Sequence, residues 1–184
     1  MKQRLVNTNP TRARPGLSRR SCLLAGAVVG SGLLLAVQSA SAADVGKAPQ
    51  WPTIRLLDGA IWAPASWSGQ PSVVVFWASW CPFCRRHNAH VDKLARATAK
   101  SRLRIVAIAV KSDVEAVRRY MAANHYQFQV TLDGGALRQQ LGLRSMIPMT
   151  CVFDRQGRLS QVLPGEMSED DVMELAKLAE PAAS

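Results

Sequence analysis

The stretch from Ser72 to Cys84 constrains this chain more than any other. Ser72 to Trp77 is a run of β-branched and aromatic residues, the mark of a buried strand. It is followed at once by Cys81-Pro82-Phe83-Cys84, and then by Arg85 to Ala99, where Val91, Leu94 and Ala95 recur at helical spacing. A strand that feeds a helix in this way sets the first thiol over the helix N-terminus, where unpaired N–H groups and the macrodipole favour negative charge. The thiolate is the nucleophile in thiol chemistry, and cysteines in such pairs ionise at roughly 3.5 to 7.5 instead of about 8.5. The spacing therefore points to thiol–disulfide exchange, with Cys81 attacking and Cys84 close enough to form a tight internal disulfide with it.

The beginning of the chain says where that chemistry takes place. Lys2, Arg4, Arg12, Arg14, Arg19 and Arg20 stand without an acidic residue in the first twenty positions, and a moderately apolar run from Cys22 to Val37 follows. Ala40-Ser41-Ala42 supplies the small residues of a cleavage site, so residues 1–42 are expected to be an export signal and 43–184 the mature domain. Ser18-Arg19-Arg20-Ser21-Cys22-Leu23-Leu24 resembles a twin-arginine signal, with Cys22 where that pattern prefers Phe; ordinary secretion fits as well. If it stays uncleaved, the segment would anchor the chain, although its 16 apolar-to-small residues fall short of the roughly 20 that span a bilayer. The expected location is the periplasm.

Removing this segment takes six basic residues and no acidic ones, so the net charge drops from +10 to +4. The basicity belongs mostly to targeting. With the remaining charges alternating in sign and no basic stripe interleaved with aromatics, nucleic acid is excluded as a partner. The residues that follow are enough for one well-packed domain and too few for two, and a monomer is expected.

Strand and helix signals then alternate. Trp51 to Leu57 and Ala60 to Trp62 read as a hairpin around Asp58-Gly59, and Leu103 to Val110 as a continuous apolar strand. Asp113 to Asn124 reads as a helix capped by Asp113, Phe128 to Leu132 as a strand, and Ala136 to Leu141 as a short helix. Met149 to Phe153 and Leu159 to Leu163 form a second hairpin across Asp154-Arg155-Gln156-Gly157. A final helix carries Asp170, Asp171 and Glu174 early and Lys177 late, as the macrodipole favours. The alternation predicts an α/β layer architecture.

Phe76-Trp77-Ala78-Ser79-Trp80-Cys81-x-x-Cys84-Arg85, the later Ile147-Pro148-Met149-Thr150 and the Phe153–Gly157 hairpin together resemble the exported thioredoxin-fold reductases of the TlpA and ResA type. The likeness runs from Trp51 to about Ala179. It implies a thioredoxin fold: a central mixed β-sheet flanked by helices, with an N-terminal β-hairpin and a central helix-strand insert over Asp113–Leu132. It implies that Pro148 follows a cis peptide bond beside the disulfide, and that the backbone of Ile147 pairs with an extended substrate. Trp80, Pro82, Phe83 and Ile147 are the residues expected to touch it. The implied partners are a disulfide-bearing exported protein, of the cytochrome c or oxidase maturation type, and a membrane thiol–disulfide carrier that returns electrons. No cofactor beyond the Cys81–Cys84 couple, and no metal, is implied.

The surroundings of the cysteines pull in opposite directions. Pro82 removes an N–H and Phe83 is apolar, while Arg85 and Arg86 add positive charge. Ile147 before the proline resembles reductases more than oxidases. Two positions depart from relatives: Val75 stands where cytosolic thioredoxins carry a buried acid, and His87 stands where many exported relatives place a glutamate. His87, one turn beyond Cys84, could take the resolving thiol's proton; the plainer reading is a half-exposed histidine without a role, and His90 reads as surface. Once the signal is removed Cys151 has no partner and reads as a small buried hydrophobe. Met146 and Met149 flank Ile147-Pro148, and if they faced the cysteines soft sulfur ligands for copper(I) would converge. A disulfide oxidase or isomerase on the same fold and a copper-binding thiol module are thus the competing readings. A c-type haem site is excluded because Arg85, not histidine, follows Cys84.

Overall fold

The computed structural model describes residues 45–180, and the expected export segment at 1–42 lies outside them. At its centre is β3 (Ser72–Trp77), in which every residue is buried. Strand β4 (Arg104–Ala109) runs parallel to it on one side, and β6 (Met149–Phe153) antiparallel on the other. The edges are β5 (Gln129–Thr131), parallel to β4, and β7 (Leu159–Pro164), antiparallel to β6. The order β5-β4-β3-β6-β7 makes a five-stranded mixed sheet. A strand covered on both faces reads as a continuous apolar run, which is why β3 was legible without alternation.

Among the described residues four α-helices flank the sheet: α1 (Pro82–Ala97), α2 (Val114–Asn124), α3 (Gly135–Gln140) and α4 (Glu169–Glu174). Asp113 caps α2 as expected, its Oδ1 accepting from the Ala116 N–H at 3.0 Å. The insert over Asp113–Leu132 is α2 followed by β5, and β5 supplies the sheet edge beside β4. Among the described residues no helix is long and apolar enough to cross a membrane.

Three elements depart most from the sequence reading. The N-terminal hairpin shrinks to β1 (Ile54–Arg55) paired with β2 (Ile61–Trp62). Its turn spans Leu56 to Ala60 instead of two residues: the Leu56 N–H donates to Ala60 O at 2.8 Å, and Leu56 bridges to Thr131 of β5. Helix α1 starts three residues early, at Pro82, because Cys81 itself is the cap. The last helix tightens into a 3₁₀ turn over Leu175–Ala179.

Alternation along β3 splits the interior in two. Val73, Val75 and Trp77 pack with Cys81, Cys84, Val91 and Leu94, and with Val117, Val172 and Leu175 from α2 and the C-terminal helices. Val74 and Phe76 face the other way, toward Ile54, Trp67, Leu137, Met149, Cys151 and Phe153. Trp51 stacks on Trp67 at 4.2 Å and meets Phe153 edge-on at 4.6 Å, which seals this second core.

Candidate active site

Cys81 occupies the N-cap of α1 with an extended backbone, and its Sγ accepts the Cys84 N–H at 3.3 Å. Pro82 takes the first helical position, where a missing N–H costs nothing. Three-residue spacing along the first turn thus folds Cys84 back beneath Cys81, and both are buried free thiols. Burial, reinforced by the hydrogen bond and charge of Cys81, pushes the Cys84 thiol up to about 12. Cys84 is thereby held as the thiol at neutral pH.

Ile147-Pro148 is a cis peptide, as the motif implied. Pro148 is buried at the start of β6, and its carbonyl accepts from the Gly165 N–H at 2.9 Å. Ile147 is half-buried against both cores, including the one that contains Cys81 and Cys84. The loop before it is held by Arg138 of α3, whose Nη2 donates to the carbonyls of Arg144 at 2.5 Å and Met146 at 3.1 Å. Around the buried sulfurs stands an exposed apolar rim: Trp80 is 64% exposed, Phe83 55% and Met146 50%, with Pro82 also exposed. The Trp80 Nε1–H donates to the carbonyl of Lys111 at 3.3 Å, and the Arg86 guanidinium lies 5.2 Å from the Phe83 ring centre. Exposed apolar side chains immediately before and between the two cysteines suit contact with a peptide.

His87 is fully buried, where a half-exposed side chain was the plainer expectation. Its Nδ1 accepts from the Met167 N–H at 3.3 Å, which leaves the proton on Nε2, 3.1 Å from Thr150 Oγ1. Burial, with the neighbouring His90, pushes it down to about 4. His90 Nδ1 lies 3.2 Å from the Met167 carbonyl, so the two histidines grip both sides of one residue. Arg86 binds Glu166 through Nε at 2.6 Å and Nη2 at 2.5 Å, and Lys93 meets Glu169 at 2.5 Å. One flank of the site helix is thereby fastened to the segment between β7 and α4.

The convergence of Met146 and Met149 on the thiols that the competing copper reading requires does not occur. Met149 pairs with Phe76 and is buried in the core on the opposite side of the sheet from Cys84, while Met146 is at the surface. Alternation along β6 decides this, and it sends Cys151 the same way, paired with Val74. Cys151 is also raised to about 12 by burial. Arg138, Lys111 and Met167 were not singled out from the sequence: Lys111 and Met167 act through partners 31 and 80 residues away, and Arg138 through two carbonyls of an irregular loop that carries no periodic signal.

The Redoxin family model matches residues 47–178. This chain belongs to the Redoxin family. Among curated proteins, it is 28% identical over 109 residues to the thiol-disulfide oxidoreductase ResA of Halalkalibacterium halodurans, covering 59% of this chain and 61% of that one. It is 36% identical over 77 residues to the soluble secreted antigen MPT53 of Mycobacterium tuberculosis, covering 41% and 43%. The matched stretch thus spans about three fifths of the first relative and less than half of the second. Among solved structures, a thiol:disulfide interchange protein of the thioredoxin family from Chlorobium tepidum superposes with a TM-score of 0.66 at 27% identity, over 76% of this chain and 99% of that one. The fold of this Redoxin chain is the thioredoxin fold, and its relatives are of the TlpA and ResA type.

Proposed function

We propose that the chain is an exported thiol–disulfide oxidoreductase that reduces disulfides in other exported proteins, the cytochrome c or oxidase maturation type among them. The observation that carries this is the Cys81–Cys84 pair at the N-terminus of α1, one N–H to Sγ bond apart, beside the cis Ile147-Pro148 loop and ringed by exposed Trp80, Phe83 and Met146. Export is supported by the relative described as a secreted antigen and by the basic, then apolar, start of the sequence.

In this reading Cys81 attacks one sulfur of the substrate disulfide as a thiolate. The bond to the other substrate sulfur breaks, and that sulfur leaves and takes up a proton. Cys84 then gives up its proton and attacks Cys81 Sγ, which releases the second substrate thiol and leaves a Cys81–Cys84 disulfide. Two electrons and two protons have passed to the substrate. A membrane-embedded thiol carrier would return the electrons in the same chemistry run the other way. Ile147 offers its backbone to the substrate, and Trp80, Pro82 and Phe83 its apolar contact. His87 serves as a positioning residue: with both ring nitrogens engaged and its affinity for protons lowered, it fixes α1 against Thr150, two residues beyond Pro148, instead of drawing the proton from Cys84.

The test is the equilibrium reduction potential of the Cys81–Cys84 couple against thiol buffers. A value at or below about −220 mV supports a reductase; one near about −120 mV makes the chain a disulfide donor and overturns the direction.

A further inference from the structure

Beside the thiols lies a groove of about 390 Å³ whose walls include Trp80, Ile108, Lys111, Leu132, Arg138 and Ile147. It touches both arms of the site, because Trp80 directly precedes Cys81 and Ile147 directly precedes Pro148. A peptide whose sulfur reaches Cys81 while its backbone runs along Ile147 must pass a neighbouring side chain over this groove.

Its walls are apolar except for two cations and Ser145, and none of the residues that line it is acidic. Among the described residues neither Lys111 nor Arg138 takes part in an ion pair. The carboxylates nearest them in sequence are committed elsewhere: Asp113 accepts from the Ala116 N–H, and Asp133 from the Arg55 N–H at 2.8 Å. Arg138 is half-buried and fixed, with Nη2 on two loop carbonyls and its guanidinium 5.6 Å from the Phe76 ring centre. A partly desolvated guanidinium without a carboxylate is unfavourable, and a ligand that supplies one offsets the loss. Lys111 holds a left-handed backbone, φ 49°, uncommon for a residue with a side chain. That turn presents its carbonyl to the Trp80 indole, joining the cationic wall to the aromatic one. Non-glycine residues kept in this region cluster at binding sites.

We propose that this groove selects substrates, taking an acidic side chain that flanks the reactive cysteine of the protein being reduced. The proposal rests on the reductase reading and names the class of peptide that reading leaves open. Lys111 and Arg138 clasp the carboxylate from two elements, and Trp80 covers the side chain's methylene groups.

The full chain, reduced with dithiothreitol and desalted, is mixed at low salt with peptides that carry one internal disulfide. The peptides are identical except for Glu, Gln or Lys within two positions of the cysteine. Rates are normalised to those for uncharged bis(2-hydroxyethyl) disulfide on the same protein. The Glu peptide is expected to react about tenfold faster than the Gln peptide, the scale of a charge pair at an interface rim, and to lose that advantage as salt rises. Lys111→Glu is expected to turn the preference toward the Lys peptide, a gain that misfolding cannot imitate. Equal rates for the three peptides, or a preference untouched by Lys111→Glu, while the uncharged disulfide is still reduced, overturn the proposal and leave the reductase reading standing. A chain that reduces neither the peptides nor the small disulfide overturns both.

Discussion

Cys84 and Cys151 are equally buried, both have thiols raised to about 12, and they lie on opposite faces of one sheet. Among the described residues only Cys84 has a partner sulfur. The face beneath α1 and α4 mixes apolar side chains with polar ones that need placing: His87, Asn88, Asp92 and Thr150 are all buried there. The face beneath the N-terminal hairpin is packed with Trp51, Trp67, Phe76 and Phe153. Burial alone therefore does not make a thiol reactive. The helix start does, by bringing a second cysteine and an N–H to the same sulfur.

The sharpest way to break this contrast is to remove each thiol in turn. Cys81→Ser is expected to lower disulfide reduction by more than about 10³-fold, the scale of losing a covalent nucleophile. Cys84→Ser should stop the reaction after its first bond and trap substrate on Cys81, visible as a heavier band on a non-reducing gel. Cys151→Ala should leave the rate within about twofold and act only on stability, since it deletes one buried sulfur from a packed wall. Loss of turnover in Cys151→Ala at a temperature where it remains folded would make the two faces chemically equivalent and overturn the contrast.

A second test reverses the question and asks whether the aromatic face carries stability without chemistry. Trp67 is buried between Trp51 and Trp62, with its Nε1–H donating to the Pro52 carbonyl at 3.4 Å. Trp67→Ala should cost about 3–5 kcal/mol, as large-to-small changes of buried aromatics do. The reduction potential of whatever fraction stays folded should match that of the parent, because that potential belongs to the other face. Urea unfolding followed beside redox titration reads both quantities, and a shifted potential would show the faces to be coupled through β3.

What the sequence revealed follows the same division. The β3 run and the cysteine pair at the head of a helix are local, and each was legible because spacing along the chain determines it; the cis Ile147-Pro148 bond was implied by the family resemblance alone. Long-range partners were not. His87 looked half-exposed because its shield comes from Met167, 80 residues on, and Thr150, 63 on. Met149 looked available to the thiols because the face it takes is set by pairing with Phe76, which no local pattern states. The hairpin turn lengthened for a similar reason: the Leu57 N–H donates to Val130 O at 2.7 Å instead of pairing across Asp58-Gly59, and Leu56, still bonded to Ala60, also bridges to Thr131 of β5.

The smallest effect tests whether the polar grip on the thiol-bearing face is a matter of placement. His87 titrates near 4 when folded, depressed by burial and by His90, with Glu166 acting weakly the other way, and near its ordinary 6.5 when unfolded. Between those values the unfolded chain binds more protons than the folded one, so stability should be fullest above pH 6.5 and fall as the pH drops toward 4. The span corresponds to at most about 3 kcal/mol. Replacing His87 with Gln removes the titration, and the denaturation midpoint should flatten across that window relative to the parent. If the histidine only positions α1, the potential and the rate at pH 7 should move by less than about threefold, because Gln can still bond to Thr150. If it took the proton from Cys84, the rate at pH 7 would instead fall by about 10²-fold or more. The flattened stability profile and the preserved rate must therefore appear together for the placement role to stand.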